Sequence, residues 1–273
     1  MKAKLFWIFC VVLLPLTVAG RTVQLIFMTE PATGFFKPSY AALGVAMGVL
    51  LGLCLAGLLA LSRFLKEPFR PIGDKSIPLA AAAFLMAAAQ LYEAAAVMLS
   101  DTRIGITLVL HMLLLFGSVA FFAMLGVSRI SYLPLPHILT VLPVLLWVYK
   151  LVAAFIHYTG IANISENILE IALLCFSLLF MLQQGKFLSG DRIKSGRWIL
   201  GGGICTALLC AAATLPRYIL LLCGQGSLIH DGALPNPSDL VLMLYILAFL
   251  LSLYPLRETA RPDSRPGEAL GAQ

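Results

Sequence analysis

Six side chains that carry or can carry charge stand inside long apolar runs of this 273-residue chain: Arg21, Glu93, His111, Lys150, Glu170 and Arg217. Gln24 and Gln90 add neutral hydrogen-bonding groups in the same kind of surroundings. Away from water, guanidinium and ammonium groups can hold an anionic ligand group, and carboxylates can balance them or relay protons. An imidazole is the side chain whose ordinary titration range lies near neutral pH. These eight residues are the candidate ligand-binding set.

No catalytic set stands beside them. The chain lacks HExxH, GxSxG and rhomboid-type GxSG motifs, and it has no Walker or EF-hand pattern. No apolar run pairs Asp or Glu with a His at the i, i+4 spacing that a metal would need. No catalytic residue, metal site or cofactor is therefore expected. An enzyme acting on a lipid would have to draw its acid–base groups from Glu93, His111 and Glu170.

What must position these residues follows from composition. Hydrophobic residues make up 60% of the chain and charged residues 12%. Soluble domains are about 45–50% apolar and about 25% charged. One water-soluble core could not hide this much apolar surface. Lipid must be the solvent, which restricts the fold to helices or a closed barrel. Barrel strands would alternate over about ten residues, whereas these runs are continuous over about twenty, as helices require. The reading is an all-α polytopic bundle of eight spans: 5–28, 39–63, 77–99, 104–126, 138–158, 164–184, 198–222 and 239–256. Residues 1–256 form one transmembrane domain, and the polar, Pro-rich segment 257–273 reads as a disordered cytoplasmic tail.

Lys and Arg set the orientation. With the N-terminus inside, the inner segments hold 14 of the 19 basic residues and the outer loops only Lys37 and Arg103. The positive-inside rule then places both termini in the cytoplasm. The inner loops are too short for a catalytic or nucleic-acid-binding domain, so no nucleic acid is expected as a partner. A second reading of residues 1–20 stays open. Lys2, Lys4, the apolar run from Leu5 to Leu16 and Ala19-Gly20 also suit a signal peptide, whose cleavage would leave seven spans.

Counting about 1.5 Å per residue from the outer end of each span puts all eight polar residues roughly 8–15 Å deep, in one layer. A lone charge in a span costs at least about 2.5–3.5 kcal/mol, and pairing relieves much of that. Arg21, Lys150 and Arg217 face only Glu93 and Glu170 in this count, so one cation is left over. That surplus suits a small anionic ligand. The bland alternative is that Arg21 and Arg217 snorkel to the headgroups and the remaining charges pair to fix helix register. Pro216, beside Arg217, predicts a break in span seven at this depth.

Several other features concern packing. Gly44, Gly48, Gly52, Ala56 and Ala60 recur every four residues on span two, a small-residue ridge for a second helix or for a homodimer. Gly201, Gly202 and Gly203 read as a close helix crossing. Five of the six cysteines lie in apolar runs without a CxxC pair, so they read as packing residues. Caps are expected at Ser76, at Asn163 with Glu166, and at Asn236 with Pro237 and Asp239.

After Arg21 the chain continues through Gln24-Leu25 to Pro31-Ala32-Thr33-Gly34-Phe35-Phe36. Pro31 should end span one, Thr33-Gly34 should turn, and the phenylalanines should anchor at the interface or fold over the polar layer. This segment resembles polytopic membrane proteins of bacteria that share an Arg…Pro-x-Thr-Gly-Phe-Phe stretch after the first span. The resemblance implies no activity and no site residues. The expected location is a bacterial inner or plasma membrane. The expected function is a transporter or ligand-binding membrane protein. The alternatives are a non-enzymatic sensor, assembly or scaffold component and, behind it, the lipid-directed enzyme.

Overall fold

The computed structural model describes residues 2–64, 76–100, 105–131, 133–158, 165–190, 192–229 and 236–253. The predicted tail 257–273, the end of span eight and the Asn163 cap lie outside these residues. The described chain forms eight α-helices: α1 (Lys2–Val23), α2 (Ala41–Arg63), α3 (Ile77–Ser100), α4 (Ile106–Ser131), α5 (Val141–Tyr158), α6 (Ser165–Leu188), α7 (Arg192–Leu222) and α8 (Pro237–Leu253). The first seven, with their short flanking turns, are long and apolar enough to cross a membrane; α8 is apolar over its 17 described residues. The protein is an all-α polytopic bundle. Its helices fall on the eight predicted apolar runs, with α4 running five residues further, to Ser131, α6 four further, to Leu188, and α7 starting six residues earlier, at Arg192.

The helices from α3 to α8 each pack on the next, and α8 packs back on α3, closing a cycle of six. Against this cycle α1 and α2 lie on α7, which also contacts α6 and α8. Contact on so many sides leaves α7 buried from Ile199 to Ala212. Its glycines allow this. A Cβ on Gly201 would run into Ser62 of α2, and one on Gly203 would meet Phe180 of α6 at 3.1 Å and Ile246 of α8 at 3.3 Å. Aromatic rings close the interior: Phe122 meets Tyr245 edge-on with centroids 5.0 Å apart, and Phe180 meets Phe249 at 5.8 Å. Such geometry aligns ring edges with ring faces.

One expectation is corrected here. The helix α7 is not broken at Pro216; it runs without interruption to Leu222. A proline costs one i→i−4 hydrogen bond, and packing on four neighbours holds the helix across that loss. The small-residue ridge of α2 is not a single internal seam. Gly44 is covered by the Phe36 ring, whereas Gly48 and Gly52 are exposed with nothing within 4 Å of a built Cβ. All six cysteines are free thiols.

The link between α1 and α2 is tightly built. After Val23 the helix widens into five π-helical residues, Gln24–Met28. The chain then turns back as a short hairpin, with Thr29 bridged to Phe36 and Gly34 at φ 70°. Gly34 N–H and Thr33 N–H both donate to the Glu30 carbonyl, at 2.8 and 3.3 Å. The left-handed conformation is why glycine stands at this turn. Phe36 rests on Gly44, while Phe35 is exposed, so Phe36 fastens the hairpin to α2. Gly44→Ala would place its methyl 2.8 Å from three Phe36 ring atoms. The expected loss is about 1–2 kcal/mol in an SDS-unfolding titration, most of it recovered in the Gly44→Ala/Phe36→Leu double variant.

Candidate functional site

The far face of the bundle is the end at which α1, α3, α5 and α7 finish and α2, α4, α6 and α8 begin. An ion pair stands there between α3 and α5. Lys150 Nζ lies 2.6 Å from Glu93 Oε1 and 2.8 Å from Oε2. Ser238, in the first turn of α8, donates to Glu93 Oε2 at 3.1 Å. Asn236 fixes that turn as predicted, its Oδ1 accepting from Ser238 N–H at 3.1 Å. His111 of α4 stacks on Tyr149 of α5 with centroids 4.8 Å apart, and it interacts electrostatically with Lys150 and Glu93. Four helices thus meet at one carboxylate–ammonium pair.

A second pair joins α6 to α7: Arg217 Nη2 lies 3.4 Å from Glu166 Oε2. Arg21, at the end of α1, interacts electrostatically with both Glu166 and Arg217. It also donates to Gln24 Oε1, and the Gln24 amide donates in turn to the Gly44 carbonyl at 3.4 Å. Gln24 opens the π-helical stretch and is buried there.

Asp239 is linked electrostatically to both pairs. This partly buried carboxylate, one residue past Ser238, interacts electrostatically with Lys150 and Glu93 of the first pair, with Arg217 of the second, and with Glu170. Glu170 itself is exposed on α6. Gln90 lies one turn below Glu93 on α3, fully buried at 0% exposure, and neither amide atom has a hydrogen-bond partner.

The structure therefore brings Glu93, His111 and Lys150 into one group and Arg21, Gln24 and Arg217 into another. Glu170 reaches these groups through Asp239, and Gln90 lies beneath the first. Three members were missed in the sequence: Glu166, Ser238 and Asp239. All stand in the first turn of a far-face helix, where acidic and hydroxyl residues are favoured by the helix dipole and by capping alone. Their types gave no signal; their shared depth with the other polar residues could have.

They also change the charge arithmetic. Among the described residues, Arg21, Lys150 and Arg217 now face Glu93, Glu166, Glu170 and Asp239, three cations against four carboxylates, with no surplus cation.

Compared with known protein families, curated proteins and solved structures, the chain matches none.

Proposed function

We propose that this multi-pass membrane protein is a transporter or ligand-binding protein whose site is the charged layer at the far face. The observation that carries the reading is Asp239. Two structural ion pairs need only each other's charges. Asp239 is a further carboxylate that belongs to neither pair, attracted by Lys150 and Arg217 and repelled by Glu93 and Glu170, so the cations that balance it already have partners. Such a group is understandable where a positive charge arrives from outside. With carboxylates in excess, the fitting ligand carries a positive group or a proton. An anionic ligand would have to displace Glu166 from Arg217 or Glu93 from Lys150. In the orientation given by the positive-inside rule, the layer opens outward.

A second reading, a non-enzymatic sensor, assembly or scaffold component, draws on the internal completeness of the pairs Lys150–Glu93 and Arg217–Glu166.

Native mass spectrometry of the full chain separates the two. The wild type is expected to retain a small polar molecule that Asp239→Asn loses, with the melting temperature within a few degrees of wild type. Lipid adducts alone, identical in both proteins, would favour the structural reading.

A further inference from the structure

Polar side chains continue inward from the far-face layer at intervals of seven residues. On α6 they are Glu170, Ser177 and Gln184; on α4, His111 and Ser118; on α8, Ser238 and Tyr245. Seven residues are two helical turns, about 10.5 Å along the axis, so each set lies on one helix face. Two contacts show where these faces point. Gln184 Nε2 donates to the Tyr245 hydroxyl, which turns the α6 face toward α8. The Phe122 ring meets the Tyr245 ring, and Ser118 is one turn from Phe122, which turns the α4 face toward α8 as well. Ser118 and Ser177 lie on these same faces, outward of the Tyr245 contacts.

These groups are buried without satisfaction. Ser118 and Ser177 are each 0% exposed, and neither hydroxyl has a hydrogen-bond partner. Gln184 Oε1 and both amide atoms of Gln90 are likewise unpartnered. Each buried polar atom left so costs about 1–3 kcal/mol, and an alanine or valine at the same place would cost nothing of the kind. At the inner end of the seam, Tyr245 interacts electrostatically with Arg129, two residues before the near-face end of α4.

We infer that the α4–α6–α8 seam is a proton path joining the far-face carboxylates to Arg129's end of the bundle. This rests on the reading of the far-face layer as a ligand or transport site, and it adds the proton as a species that moves inward from that layer. Close packing excludes a larger solute, because the seam atoms have almost no exposed surface. Hydroxyls can relay a proton, taking one on an oxygen lone pair while releasing their own. Waters entering as side chains shift would bridge the intervals and satisfy the orphaned groups. Only O–H bonds are made and broken, and no electrons are transferred. The proton enters at Asp239 or Glu93 and leaves to water at the near face.

The test uses the full chain in liposomes that contain a pH-sensitive dye, with a potassium–valinomycin potential driving protons inward. Valine and threonine share one shape, so Ser177→Val against Ser177→Thr, and the same pair at Ser118, isolates the hydroxyl. Wild type and both Thr variants are expected to acidify the interior, and both Val variants to do so at least tenfold more slowly. If a Val and Thr pair fails to fold, Ser→Ala against wild type replaces it. Val variants conducting at the wild-type rate while Asp239→Asn does not would overturn the seam and leave the far-face reading standing. A wild type that moves no protons yet retains its small molecule in native mass spectrometry would overturn the proton inference alone.

Discussion

Replacing Lys150 by methionine is expected to destabilise the bundle by about 2–4 kcal/mol in an SDS-unfolding titration, and adding Glu93→Gln to recover most of that loss. Lys150 and Glu93 retain 17% and 12% side-chain exposure, with Nζ 2.6 Å from Oε1. Breaking a buried pair from one side costs about 3–5 kcal/mol, because the survivor is left as an uncompensated charge. The remaining exposure places this pair toward the low end. Ser238 still donates to Glu93 but cannot neutralise it. Methionine keeps most of the lysine stem's volume, so the packing beside Trp147 is preserved. A double variant no more stable than Lys150→Met alone would show that the charge was not the cause. The same double variant also serves function: regained stability without regained ligand retention marks the pair as part of a site.

The second large effect belongs to α7. Gly201→Leu is expected to cost about 3 kcal/mol or to prevent folding, while Gly202→Ala should be neutral or stabilising by up to about 1 kcal/mol. The two neighbours differ in what surrounds them. A Cβ at 201 would run into the Ser62 hydroxyl, lie 3.0 Å from Ser62 Cβ and 3.3 Å from Leu59 Cδ2; one at 202 meets nothing within 4 Å. Ser62 cannot easily yield, since its hydroxyl already donates to the Leu59 carbonyl at 2.8 Å. At 202 only the helix propensity of alanine over glycine remains. Thermal melting of the two variants in the same detergent reads the difference. Equal behaviour would contradict the crossing of α2 and α7 at Gly201.

Much of this architecture is legible in the sequence because lipid imposes so strong a rule. Runs of about twenty apolar residues mark the helices, and the glycine triplet at 201–203 marks the crossing that buries α7. The Asn236-Pro237 start of α8 is also legible, since a capping side chain acts locally. What sequence cannot resolve is partner choice. Glu166 has the type and place of a capping-box residue, yet its carboxylate pairs with Arg217, 51 residues later. Asp239 likewise reads as a first-turn acid and interacts instead with members of both ion pairs. These two residues reverse the sign of the charge balance. The seam was hidden for another reason. Serines at 118 and 177 scarcely disturb an apolar run, and their spacing means something only once Tyr245 shows that α4 and α6 turn the same faces toward α8.

The central claim is that the far-face charges form one layer, with Asp239 joining two ion pairs. Cysteine cross-linking in native membranes tests it directly, in a background with the six natural cysteines replaced by alanine or serine. Three pairs are needed: Glu93→Cys with Ser238→Cys, Glu166→Cys with Arg217→Cys, and Glu170→Cys with Asp239→Cys. A bifunctional thiol cross-linker long enough to span the removed side chains, which a direct disulfide could not, is expected to link all three, and not to link Leu91→Cys, exposed on the same helix as Glu93, with Ser238→Cys. Linking of the first two pairs without the third would contradict a single layer and leave two separate structural ion pairs.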